Sequence, residues 1–508
     1  MKKNSQSSKK RWNRMVDPGK AGCSFNNFIL SEAVIFTALL LTPAFGSADG
    51  NGILQKPAAA EKQMSAELWL TKNDGSVLFQ KQPEPILFTA STAASSQAVN
   101  INPDVKYQEM DGFGCALTGG SAKLMHNMPG AERGALIKEL FGTDGNAIGL
   151  SYLRISVGAS DLDERVFSYD DLPPGQADPE LAKFSIEPDR AALIPVLKEI
   201  LATGPALKLL ASPWSPPAWM KTNDSSKGGS LKPEYYAAYA AYLAKYVLAM
   251  REEGINIDAI TIQNEPLNPD NTPSMFMPAE TQELFIKKFL GPAFDKNGVK
   301  TKIIVYDHNC DRPEYPLLIL ADKDAARYVS GSAFHLYAGE LSAMSAVHDA
   351  HPDKDVYFTE QWVGGPSNFA EDFKWHLGTL MIGAVRNWSR TVLEWNLASD
   401  PAYGPHTEGG CVNCQGAVTI APGGVRRDVA YYALAHVSKF VRPGAVRVDS
   451  AGPSSLPNAA FRTAAGNIVL VVSNESRAPA DFTIRYQDKA AAVTLPGGSA
   501  GTYVIRSY

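Results

Sequence analysis

From Gly112 onward the chain alternates between two hydrophobic rhythms. Short apolar, β-branched runs occupy residues 112–116, 152–157, 207–212, 259–264, 302–307, 332–336, 356–359 and 391–395. Longer amphipathic stretches with helical spacing lie between them, among them 188–202, 233–253, 278–297 and 369–387. Apolar runs of this length suit strands buried on both faces, as in a parallel sheet. Eight strand–helix units predict an α/β fold, a (β/α)8 TIM barrel over residues 112–436.

Outside that span the pattern is different. Apolar and polar residues alternate over 66–80 around Asn73-Asp74-Gly75, a hairpin signal. Alternation returns after Val437, in 459–463, 467–473, 481–486 and 501–507. These segments predict an associated all-β sandwich built from residues 66–111 and 437–508. The N-terminus reads as a targeting segment. Lys2 through Lys20 are rich in basic residues, 33–41 are apolar, and Gly46-Ser47-Ala48 offers a small-residue cleavage site. The expectation is a signal peptide over 1–48 and a linker over 49–65, giving a secreted, periplasmic or surface protein. An uncleaved membrane anchor is the alternative.

Apolar residues make up 45% of the chain and charged residues 20%, enough to fill a large core. A net charge of −5 gives no basic footprint for nucleic acid. Cys23 falls in the targeting segment, and Cys115 and Cys310 lie on or beside predicted strands, as core cysteines do. Cys411 and Cys414 have no second pair nearby to complete a zinc site, so a local disulfide is expected, with a free thiol pair as the alternative. The histidines show no ligand spacing, and neither a metal nor a cofactor is called for.

Two of the apolar runs break at a glutamate, in Gln263-Asn-Glu-Pro266 and Thr359-Glu-Gln361. Strand counting puts Glu265 at the end of the fourth strand and Glu360 at the end of the seventh. Barrel active sites assemble on that C-terminal rim. An unpaired carboxylate gains nothing from a core; two facing one site are the equipment of glycoside hydrolysis. Other strand ends supply Arg154, His335 and Tyr337, Trp395, and the loop 212–223 with Trp214 and Trp219. The Ser-Pro and Pro-Pro steps of that loop are cis-prone and stiff.

These strings, with Gly112-Phe-Gly-Cys-Ala-Leu-Thr118, Phe334-His-Leu-Tyr337, Glu394-Trp-Asn-Leu-Ala398 and His436-Val-Ser-Lys-Phe440, run in the order of one family. The chain resembles glycoside hydrolase family 30, which includes glucosylceramidases and β-1,6-glucanases. The resemblance covers nearly everything from Ala66 to the C-terminus. It implies that Glu265 is the acid/base, Glu360 the nucleophile, Asn264 the holder of the sugar 2-hydroxyl and Arg154 the charge that keeps Glu360 ionised. Trp214, His335, Tyr337 and Trp395 would line the sugar subsite. Glu360 as a nearby like charge is expected to keep a proton on Glu265. Glucosylceramidases carry an acidic residue after the first-strand Thr; here Gly119 stands there, so that contact is missing or comes from elsewhere. The expected substrate is therefore a β-1,6-glucan or its oligosaccharides, with a lipid-linked glucoside (glucosylceramide) as the alternative, hydrolysed by a monomer.

Overall fold

The computed structural model describes residues 63–90, 97–204 and 206–506. The expected targeting segment lies outside these residues.

Eight parallel strands close into a barrel: β1 (Gly112–Ala116), β2 (Tyr152–Val157), β3 (Lys208–Pro213), β4 (Ala259–Thr261), β5 (Lys302–Cys310), β6 (Val329–Gly339), β7 (Asp355–Glu360) and β8 (Ser389–Asn396). β8 pairs with β1 and so closes the ring. Side-chain alternation divides each strand between two cores. Tyr152, Leu210, Ala259, Ile304, Ala333, Tyr357 and Leu393 form one cluster, each from a different strand, inside the barrel. Their neighbours Leu209, Ile260, Ile303, Val305, Val356 and Val392 point outward into the larger core shared with the helices. This is why the runs read as continuously apolar: both faces are buried.

The 278–297 and 369–387 stretches are helical, and each widens in its middle into π-helical turns, over Ile286–Leu290 and Trp375–Ile382. The cis peptide bonds among the described residues are Thr272-Pro273, Gly365-Pro366 and Gly404-Pro405, so the cis-prone proline steps of the 212–223 loop are trans.

Strands from both chain ends build the second layer. Ser65–Thr71 runs antiparallel to Ala500–Arg506 over its whole length, and Ala98–Glu109 pairs with Val446–Ala451 and with Ala480–Tyr486. Leu70, Val99, Leu470, Phe482 and Tyr503, from distant positions in the strand order, share one core, so the sheet curls into a sandwich. Helix Val429–Ser438 ties it to the barrel. Buried His436 hydrogen-bonds Thr71 at 2.8 Å and Thr502 at 2.9 Å, while Trp69, Phe461 and Val471 enter the barrel's outer core.

Candidate active site

The C-terminal strand ends open onto a cavity of about 610 Å³. Glu265, Glu360, Tyr337 and Trp395 line it, and Asn264, Arg154, His335 and Trp214 stand behind them. A second cavity, of about 410 Å³, lies at the opposite end of the barrel. There Asp111 is already paired with Lys208 and Arg390, and Asp258 accepts the Leu209 N–H.

Glu265 follows β4 in the left-handed region, at φ +47°, where a residue with a side chain is strained. Hydrogen bonds from both flanks impose that turn. The Asn264 N–H donates to the Pro213 carbonyl at 2.7 Å and the Glu265 N–H to the Asp307 carbonyl at 2.9 Å. Tyr306 and Asp307 on β5 are left-handed too, at φ +74° and +65°. The bent strand ends direct Glu265 into the cavity, where Asn268 donates to its second oxygen at 2.8 Å.

Arg154 is buried beneath the site and spends its fork of donors on four groups. It donates to Glu360, to Asp307 at 2.8 Å, to Asn264 at 2.5 Å and to Ser212 at 3.1 Å. Trp214 and Trp395 stack at 5.3 Å, and their ring faces lie 4.7 and 5.6 Å from the same guanidinium. Tyr337 donates its hydroxyl to Glu360 at 2.9 Å. The imidazole of His335 lies 3.3 Å from Glu265 through Nδ1 and 3.1 Å from Asp307 through Nε2. The facing atoms of Glu265, His335 and Glu360 all lie within 4.8 Å of one another. Such a trio could hold a metal, but Arg154 already places a cation on Glu360, and the imidazole favours its protonated form.

The proton sits elsewhere than expected. Burial disfavours a cationic His335, yet Glu360, Asp307 and Glu265 surround it and raise its pKa to about 9. Burial would raise Glu265, but the hydrogen bond and charge of His335 outweigh it and bring Glu265 to about 2. Glu360 moves upward through burial, with His335 and Arg154 opposing. Glu265 and His335 therefore hold one proton between them, on the imidazole side. The like charge of Glu360 acts first on the histidine that stands between the two glutamates.

Asp307 is a site residue that sequence reasoning passed over. Its two oxygens accept from Arg154, His335, Thr261 and Thr359, and although burial opposes ionisation, Arg154 holds its pKa far below the ordinary carboxylate value. The signal was present, since Asp307 ends an apolar run as the glutamates do. The loop after β2 supplies two more carboxylates. A Cβ on Gly119 would lie 1.6 Å from Asp163 Oδ1, so Asp163 fills the space that a side chain at 119 would need. Asp161 enters the cavity itself, and burial, then Glu360 and Glu265, push its pKa up to about 7. A cavity carboxylate is thus supplied from elsewhere than position 119. Cys411 and Cys414 form a disulfide, and both line the cavity.

A parallel eight-stranded barrel with two carboxylates converging from β4 and β7 beside stacked indoles is the equipment of a glycoside hydrolase. Residues 110–441 match the glycosyl hydrolase family 30 TIM-barrel domain, and 444–503 match the family's beta sandwich domain. The chain belongs to glycosyl hydrolase family 30. It is 33% identical to an endo-1,6-beta-D-glucanase of Neurospora crassa, over 83% of this chain and 91% of that one. It is 30% identical to the lysosomal acid glucosylceramidase of Mus musculus, over 82% and 85%. Among solved structures, the endo-beta1,6-glucanase BT3312 is similar at a TM-score of 0.81 and 32% identity, over 87% of this chain and all of that one.

Proposed function

We propose that the protein hydrolyses β-1,6-linked glucan and its oligosaccharides with retention of anomeric configuration. The observation that carries the reaction type is that a carboxylate oxygen of Glu265 and one of Glu360 lie within 4.8 Å of each other. Retaining sites separate their carboxyl groups by about 5–5.5 Å, and inverting sites need roughly 6.5–9.5 Å to admit a water.

In the first step Glu360 attacks the anomeric carbon and the bond to the glycosidic oxygen breaks. That oxygen takes the proton shared by Glu265 and His335, delivered from Glu265, and the departing chain leaves as an alcohol. The sugar is now an ester of Glu360. In the second step Glu265 removes a proton from water, whose oxygen attacks the same carbon from the opposite face and frees Glu360. Arg154 and Tyr337 carry hydrogen bonds to Glu360 that stabilise it whenever it is the leaving carboxylate. Asn264, held by Arg154, takes the sugar 2-hydroxyl. Asp161, which lines the cavity, is offered to the other hydroxyls.

The rim supports a sugar over a lipid as the leaving group. Asn268, Asp270, Asn271, Asn309, Asp311 and Arg312 line it, groups that a hydroxyl-rich chain can satisfy and an acyl chain would strip of water. Relatives of similar identity named for β-1,6-glucan point the same way. A polymeric substrate also fits export of the chain, and we include a location outside the cytoplasm in the proposal. The test is a hydrolysis panel of β-1,6-glucan, gentiobiose and glucosylceramide. Release of gentio-oligosaccharides from the polymer is expected; cleavage of glucosylceramide alone would overturn the substrate assignment.

A further inference from the structure

Trp362 lies two residues past Glu360 and lines the same cavity, half-buried. Its inner side packs against the cluster of Trp214, Trp395 and Cys414. Trp214 and Trp395 turn their faces to the Arg154 guanidinium. Trp362 packs on this cluster and lies beside Gly364, and its remaining surface lines the cavity.

The residues that follow it are fastened in an unusual way. Val363 and Gly364 pair antiparallel with Gln415 and Cys414. The Gly365 N–H donates to the Asn413 carbonyl at 2.8 Å, and the Asn413 side chain returns a bond to Gly365 at 3.3 Å. The disulfide between Cys411 and Cys414 closes this short loop on itself. The loop is thus stitched to the backbone next to Trp362, and Cys411 and Cys414 line the same cavity.

Resting on the glucan reading above, we propose that Trp362 is a platform for a second sugar ring, beyond the one held at the glutamates, and that the disulfide-closed loop keeps it in place. The C–H face of a pyranose packs on an indole face, and a rigid aromatic gives contact area at low entropic cost. Trp362 would thereby set the enzyme's preference for chains over single glucosides.

The readout is the ratio of kcat/KM for gentiotetraose to that for β-glucosyl fluoride, whose leaving group is a single atom. Trp362→Ala should lower that ratio about tenfold, chiefly through KM for the chain, and Trp362→Phe should restore most of it. Replacing both Cys411→Ser and Cys414→Ser should lower it in the same direction, by about threefold. An unchanged ratio in Trp362→Ala, with both rates intact or both reduced alike, would overturn the platform alone. A wild-type enzyme that hydrolyses the fluoride and leaves gentiotetraose whole would overturn the glucan reading and the platform with it.

Discussion

His335 carries the most consequential electrostatics of any single residue here. It stands between a permanently ionised Asp307 and the two glutamates, and its proton is the one that Glu265 would deliver to the leaving oxygen. The alkaline limb of the activity profile should therefore report this shared proton, and activity should fall as pH rises towards the raised pKa of about 9. In His335→Gln the proton must rest on Glu265 itself, a carboxyl group. The alkaline limb of kcat/KM should then move to lower pH by about one unit or more. A limb that stays in place would show that the imidazole takes no part in holding the proton.

At the scale of elements, the loops after β1 and β2 are fitted to one another. Asp163 accepts the Ser160 N–H at 2.7 Å and the Ser160 hydroxyl at 2.9 Å, and it rests where a side chain on residue 119 would be. Gly119→Ala should displace that carboxylate and destabilise the fold by about 1–3 kcal/mol, read from thermal or denaturant unfolding. Asp163→Ala in the same chain should recover part of the loss, because it empties the space; simple addition of the two effects would contradict the fit.

The barrel was legible because its strands are apolar on both faces, and a buried strand needs no neighbour's identity to be recognised. Glu265 and Glu360 were legible as polar breaks at strand ends, and Asp307 satisfies the same rule. Asp161 and Asp163 were not legible, because they lie on a loop with no period, and only the fold brings that loop over Gly119. The proton's position was misjudged for a related reason. Sequence places the two carboxylates near each other but not the histidine between them.

At the scale of the whole molecule, His436 joins the layers. Burial lowers its pKa to about 3 from 6.5, so the folded protein keeps it neutral where the unfolded chain would protonate it. The unfolded state then binds more protons between those values, and stability rises with pH across that window. Stability should therefore be full above about pH 6.5 and decline as pH falls towards 3. His436→Gln should flatten this part of the unfolding-energy curve while leaving Thr71 and Thr502 a partner. An equally steep decline in the variant would assign the acid sensitivity to other groups.

The assignment of roles to the two glutamates is tested most directly by the anomer of the azide product. With a dinitrophenyl β-glucoside as substrate, Glu360→Ala has no carboxylate to form the ester, so azide attacks the sugar directly and should yield the α-glucosyl azide. Glu265→Ala still forms the ester, because this leaving group needs no proton, and azide should then release the β-glucosyl azide. The α product from Glu360→Ala with the β product from Glu265→Ala is the expected result; the reverse pairing would contradict the account.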